Sequence, residues 1–127
     1  MLFRSLVERA LQEARSPDLR AQDTSRYLVQ FFNNPAARVR AWAFLKEHWG
    51  ELEPKIDVAY GDVRLVGSLG AFCDASTAAD IRSFFTSHPL RSAGRALEET
   101  VERIEKCVEL NRTESSRVSQ WLDATVQ

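Results

Sequence analysis

Apolar and polar residues alternate along this chain with the period of an α-helix. In the first segment the apolar residues form one stripe with the charged residues opposite: Leu2, Phe3, Leu6, Val7, Ala10, Leu11 and Ala14. We predict a first helix with a single buried face, then a turn at Ser16 and Pro17. A second helix is predicted to begin at Asp23 or Thr24 and to bury Tyr27, Leu28, Phe31 and Phe32.

Residues 34–52 carry the strongest helical signal. Asn34 can cap a helix, Pro35 suits its first position, and Gly50 can take the left-handed conformation that ends one. The apolar residues cover most of the circumference: Ala41, Trp42, Ala43, Phe44, Leu45 and Trp49. A helix of this kind needs neighbours on both flanks, so the pattern predicts a layered array rather than a helical hairpin or a coiled coil.

The middle of the chain gives a weaker signal, because Pro54, Gly61, Gly67 and Gly70 interrupt it. We predict two short helices, over residues 52–58 and 62–69, with the glycines of the second region ending a helix. A strand pair over residues 58–69 is the competing interpretation, since valine, tyrosine and leucine there favour extended structure.

The residue pattern in the last third of the chain predicts three helices. Thr77 and Asp80 resemble a capping box, and Pro89 ends the helix that follows. A long helix over residues 92–111 buries Leu97, Val101, Ile104 and Val108, and a final short helix carries Val118, Trp121, Leu122 and Thr125. The predicted fold is an all-α, HEAT- or armadillo-like array of seven or eight antiparallel helices, forming a single domain over residues 1–127.

Composition narrows the function. Seventeen basic and eighteen acidic residues give a net charge of -1, which argues against attraction to nucleic acid or anionic lipid. No apolar run approaches the length that spans a membrane, and the first residues do not resemble a signal peptide. Cys73 and Cys107 are predicted to be free buried thiols. We therefore expect a soluble cytoplasmic protein.

Candidate chemistry is sparse. His48 and His88 lie 40 positions apart and outside any zinc-binding pair, and the end of an apolar helix face predicts a helix-terminal role for His88. Cys73 has no nearby histidine or second cysteine that would make it a nucleophile. Gly67 and Gly70 lack the longer glycine series of phosphate-binding loops. No catalytic, cofactor-binding or metal-binding residue is predicted.

Three stretches resemble successive landmarks of the C-terminal helical domain of zinc aminopeptidases, of the aminopeptidase N and puromycin-sensitive type. They read AWAFLKEHWGEL, DIRSFFTSHP and RALEETVERIEKCVELNRTESSRVSQWL. The residues at the landmark positions are Trp42, Phe44, Trp49, Phe84, Phe85, Glu102, Ile104, Trp121 and Leu122. Their order and spacing match the family from about residue 19 to residue 122.

The resemblance implies a HEAT-like bowl that closes over a separate zinc-containing catalytic domain and walls the peptide chamber. The family's H-E-x-x-H and G-x-M-E-N motifs have no counterpart here, so no catalytic or metal residue carries over. We expect a non-catalytic domain without a cofactor of its own. Its expected partners are upstream helices, the catalytic domain and, through the intact enzyme, peptide.

Two further expectations concern the surface. Arg26, Arg38, Arg40 and Arg64 are conceivable contacts for a peptide carboxylate, with solvated surface as the simpler role. Apolar surface left without its neighbours would lead to self-association. The alternative function is a free-standing helical protein–protein interaction module, and a helix-turn-helix DNA binder is a weaker third hypothesis because neither the charge nor the short turn is present.

Overall fold

The computed structural model describes residues 2–126, and these residues form helices, turns and loops but no strand. The helices are α1 Leu2–Gln12, α2 Ala21–Phe32, α3 Arg38–Glu47, α4 Trp49–Ile56, α5 Gly61–Ser68, α6 Ala75–Ser87 and α7 Gly94–Val126. Two 3₁₀ turns, Glu13–Arg15 and Leu69–Ala71, follow α1 and α5. The predicted all-α array is confirmed, and the competing strand pair over residues 58–69 is wrong.

Helix α2 lies at the centre of the array, where it contacts α3, α4 and α5. Leu28 and Phe32 are fully buried, and so are two polar residues, Thr24 and Ser25. The Thr24 hydroxyl donates to the Arg20 carbonyl, 3.2 Å away, and Arg64 donates to the Ser25 hydroxyl at 3.0 Å. Both hydroxyls are therefore hydrogen-bonded, which removes most of the cost of burying them.

The predicted single helix over residues 34–50 is wrong, because the chain forms two helices there. Asn34 accepts a hydrogen bond from the Ala36 amide at 2.9 Å and so begins a turn, and α3 starts only at Arg38. The helix breaks at His48 and resumes at Trp49. Gly50 lies in the first turn of α4 with a negative φ, so it ends no helix.

Helix ends differ from the prediction in the last third as well. Asp74 caps α6 by accepting from the Thr77 amide at 2.9 Å, so the cap lies before the predicted Thr77–Asp80 box. The two predicted C-terminal helices are one continuous helix, α7. Residues 112–117 contain neither proline nor glycine, and nothing in them interrupts the helix.

The two cysteines form a disulfide, so the prediction of free thiols is wrong. Cys73 precedes α6, Cys107 lies on α7, and their Cα atoms are 5.4 Å apart. The two residues are 34 positions apart in sequence, and only the packing of α6 against α7 brings them together. The bond ties α7 to the core beside Val108, the last apolar residue of this helix that packs against the core.

The turn between α4 and α5 brings α5 close to α2. Ala59 and Tyr60 both have left-handed backbones, with φ of 53° and 58°. At the following Gly61, a Cβ atom would lie 2.4 Å from the Ile56 carbonyl oxygen and 2.8 Å from the Ser25 hydroxyl oxygen. Glycine is required at this position because the backbone and α2 leave no room for a methyl group.

Gly61→Ala is expected to lower the free energy of unfolding by about 1–3 kcal/mol, because the methyl group must displace backbone atoms. Gly67→Ala is the matched control, since that glycine lies inside α5 with open space around its Cβ position. The control should raise the free energy of unfolding by roughly 0.5–1 kcal/mol. Urea unfolding of both variants checks this, and equal stability would contradict the close approach at Gly61.

Candidate interaction surface

The two histidines, the residues most able to take part in chemistry, both pack against phenylalanine rings. The His48 ring lies 4.5 Å from that of Phe44, and His88 follows α6, stacked on Phe84 with its Nδ1 3.0 Å from the Phe84 carbonyl oxygen. His88 therefore occupies the predicted helix-terminal position. Over residues 2–126, no three histidine, cysteine, aspartate or glutamate side chains gather closely enough to hold a metal ion.

Trp42 and Trp49 belong to the core, as predicted, with 5% and 8% of their surface exposed. They converge from α3 and α4 on the edges of Phe84 and Phe85 of α6. Trp42 Nε1 donates to Asp80 at 2.8 Å, and Lys46 donates to the same oxygen at 2.6 Å. These two hydrogen bonds, with that from Lys46 the larger effect, lower the pKa of Asp80 and join α3 to α6.

Three of the four arginines considered for peptide binding are engaged within the chain. Arg38 donates to the carbonyls of Phe32 and Ala71, and Arg64 donates to Ser25. Arg40 binds Glu8 and Glu47, and its hydrogen bond to Glu8 lowers the pKa of that carboxyl. These contacts hold helices together. Arg26 is exposed on α2.

Helix α1 has a large exposed apolar surface. Within its predicted buried stripe, Val7, Leu11 and the following Ala14 are buried and Ala10 is half-buried. Leu2, Phe3 and Leu6 are 76%, 52% and 52% exposed, and Val39 of the neighbouring α3 is 73% exposed. A groove of about 410 Å³ runs between the two helices and is lined by Phe3, Arg4, Val7, Ala36, Val39, Arg40 and Ala43.

The charges around this groove are almost balanced. Arg40 lies in its wall, but Glu8 and Glu47 neutralise the guanidinium. Arg4 is exposed, and among the described residues it forms no ion pair. The groove therefore combines an apolar floor with a rim of Arg4, Arg40, Glu8 and Glu47, whose formal charges cancel.

A family model described as the ERAP1-like C-terminal domain matches residues 4–106, which is most of the chain. The chain belongs to this family. The endoplasmic reticulum aminopeptidase 1 of Rattus norvegicus is 23% identical over 116 residues, and that of Mus musculus matches to the same extent. Each match covers 87% of this chain but only 12% of the relative.

The resemblance to an aminopeptidase C-terminal domain is thus confirmed, and this ERAP1-like domain spans a small part of the relatives it matches. The matched residues include the α1–α3 groove and the tryptophan cluster, whereas the last part of α7 lies outside them. None of the described helices combines the length and the apolar composition that crossing a membrane requires.

The groove was not predicted from the sequence, because the apolar stripe of α1 is typical of an ordinary buried helix face. A signal was present, since Leu2, Phe3 and Leu6 extend the stripe by more than one turn beyond its buried part. Periodicity identifies an apolar face but does not say which neighbour covers it. The exposure of Val39 on α3 shows that α1 and α3 together form this surface.

Proposed function

We propose that this ERAP1-like domain is the non-catalytic C-terminal part of a zinc aminopeptidase, where it completes the wall of the peptide-binding chamber. The observation that carries the proposal is the family match from α1 into α7. The curated relatives are aminopeptidases by name, and this chain corresponds to 12% of their length. The remaining length would provide the catalytic part.

The α1–α3 groove supports this assignment because it offers an attachment point for upstream helices. A helical array continues by covering the apolar face of its last helix with the next one. Burying the exposed surface of Leu2, Phe3 and Leu6 would contribute on the order of several kcal/mol. Without those helices, the same face would favour self-association.

The domain would act through binding rather than through chemistry. Contacts remote from the reacting bond orient a peptide and can change both the rate and the preferred length. The described residues do not fit a zinc site, so the zinc of the intact enzyme would be held by other parts of the polypeptide. Among the four arginines, Arg26 is the candidate contact for a peptide carboxylate, because it is exposed on α2 and makes no hydrogen bond or ion pair with the described residues.

The cytoplasmic location predicted from the sequence is untested, and the disulfide favours a different compartment. Disulfides such as Cys73–Cys107 persist in oxidising compartments and are rare in the reducing cytosol. We propose that the domain works in an oxidising compartment.

A free-standing interaction module is the second candidate, and the exposed α1–α3 groove favours it equally well. The native reading frame separates the two hypotheses. A zinc-binding H-E-x-x-H motif upstream in the same frame supports the aminopeptidase, and a frame limited to this domain supports the module.

Aminopeptidase assays test the main proposal. The intact polypeptide should release N-terminal residues from peptides with a length preference, and the isolated 127-residue chain with added zinc should not. Val39→Asp, which places a charge in the groove, should weaken attachment of the domain and change the length preference. Zinc-dependent turnover by the isolated chain, or a length preference unaffected by removing the domain, would overturn the proposal.

A further inference from the structure

We propose that Asn111 is a site of N-linked glycosylation, where an oligosaccharide is attached to the side-chain nitrogen. The inference rests on the oxidising compartment proposed above and adds a modification to the proposed aminopeptidase domain. Asn111, Arg112 and Thr113 form the acceptor triplet, which is asparagine, any residue except proline, and then serine or threonine. A motif of three residues also occurs by chance, so its exposure and its chemical environment decide its meaning.

The triplet lies on the surface of the described chain. Asn111 and Thr113 are both exposed, and they follow Val108, the last apolar residue of α7 that packs against the core. The Arg112 guanidinium binds Glu109 of the same helix, 2.6 Å away. An oligosaccharide on Asn111 would therefore project into solvent without displacing another helix.

The face of α7 that carries Asn111 also exposes apolar side chains. Ser115, Val118 and Leu122 follow Asn111 on this face and line one open depression with it. Val118 is 53% exposed, and Leu122 is 48% exposed. A hydrated oligosaccharide beside these two side chains would shield them from other proteins, which is the solubilising effect of a surface glycan.

The helical conformation of the triplet is compatible with the modification. Acceptor triplets are typical of surface loops, where the asparagine side chain can bond to its own backbone in a turn. Residues 109–126 of α7 are exposed apart from the half-buried Glu114, so this segment lacks the tertiary packing that provides most helical stability. The segment can therefore open at low cost while the core stays folded, which gives a transferase access to an extended triplet.

The Cys73–Cys107 disulfide is the independent observation that supports the modification. Disulfides persist in oxidising compartments, and the lumen of the endoplasmic reticulum, where asparagine is glycosylated, is one of them. The two signals are independent, because a disulfide requires no asparagine and the triplet requires no cysteine. A targeting segment would lie outside this chain, which spans 12% of the relatives it matches.

The reaction is a group transfer from a lipid-linked oligosaccharide diphosphate. The Asn111 side-chain nitrogen forms a bond to C1 of the first sugar, and the bond from C1 to the diphosphate oxygen breaks. The lipid diphosphate leaves with the bonding electron pair, and one amide hydrogen is released as a proton. Nothing is oxidised or reduced in this step.

Mass analysis of the protein purified from its source cells tests the proposal. After reduction of the disulfide, trypsin cleavage behind Lys106 and Arg112 releases residues 107–112 as one peptide. This peptide should carry an oligosaccharide, and peptide N-glycosidase should remove it and leave aspartate at position 111. A peptide found only with unmodified asparagine would overturn the proposal.

Variants produced in the same cells test the role of the triplet. Asn111→Gln and Thr113→Ala should each abolish the loss of mass that the glycosidase causes, whereas Thr113→Ser keeps the hydroxyl and should retain it. Ser115→Ala is the matched control on the same face outside the triplet and should stay glycosylated. All these positions are exposed, so the variants should fold. A glycan that persists in Asn111→Gln would overturn the assignment.

The results separate this proposal from the proposed function. An active aminopeptidase with unmodified Asn111 would overturn the glycosylation and leave the function standing. A polypeptide that is glycosylated at Asn111 but lacks peptidase activity would overturn the function and keep the modification site. Free thiols at Cys73 and Cys107, together with unmodified Asn111, would overturn both the oxidising compartment and the glycosylation.

Discussion

Trp42→Ala is expected to lower the free energy of unfolding by about 3–5 kcal/mol. Trp42 is 5% exposed, and its ring centroid lies 5.4 Å from that of Phe84 and 5.9 Å from that of Phe85. The substitution leaves a cavity between α3 and α6 and removes the indole hydrogen bond to Asp80. A loss of this size is a large fraction of the total stability of a domain.

Trp121→Ala provides a matched control, because the same substitution is made at an exposed tryptophan near the end of α7. In the isolated chain it should change the free energy of unfolding by no more than about 0.5 kcal/mol. Urea unfolding followed by circular dichroism measures both variants. Similar losses for the two would contradict the different environments of Trp42 and Trp121.

Removing the disulfide is expected to cause the second large decrease in the free energy of unfolding. The variant Cys73→Ser, Cys107→Ser is expected to be about 3–4 kcal/mol less stable, because the bond closes a long loop in the unfolded chain. The separation of the two residues is 34 positions.

Guanidinium unfolding with and without a thiol reductant measures this effect. The reductant should lower the free energy of unfolding of the native protein. It should leave that of the double serine variant unchanged, and this variant therefore serves as the control. Intact mass under non-reducing conditions establishes that the bond is present at the start. A native protein with the bond present and no response to its reduction would contradict the expected stabilisation.

The α-helical class was predictable because each helix buries a stripe of apolar residues with a period near 3.6. The core role of Trp42 and Trp49 follows from the same pattern and is confirmed. Helix ends were less predictable. Asn34, Gly50 and Thr77 all have residue types that suit a helix terminus, yet the termini lie elsewhere, because local preferences of about a kilocalorie per mole yield to tertiary packing.

The candidate surface was only partly predictable. The apolar stripe of α1 is visible in the sequence, but the exposure of its first half depends on which helices reach it. The end of α7 shows the same limit. The landmark role predicted for Trp121 and Leu122 lies outside the residues that the family model matches, and only the structure shows that both side chains are exposed beyond the core.

By itself, the sequence determined the helical class, the aromatic core and the family, because periodicity, residue volume and the order of landmarks are local or linear properties. Only the tertiary structure decided the Cys73–Cys107 bond and the exposed part of the apolar face of α1. Each of these depends on which residues meet across long separations in the chain. Such contacts are selected by the packing of the whole array, and no single segment encodes them.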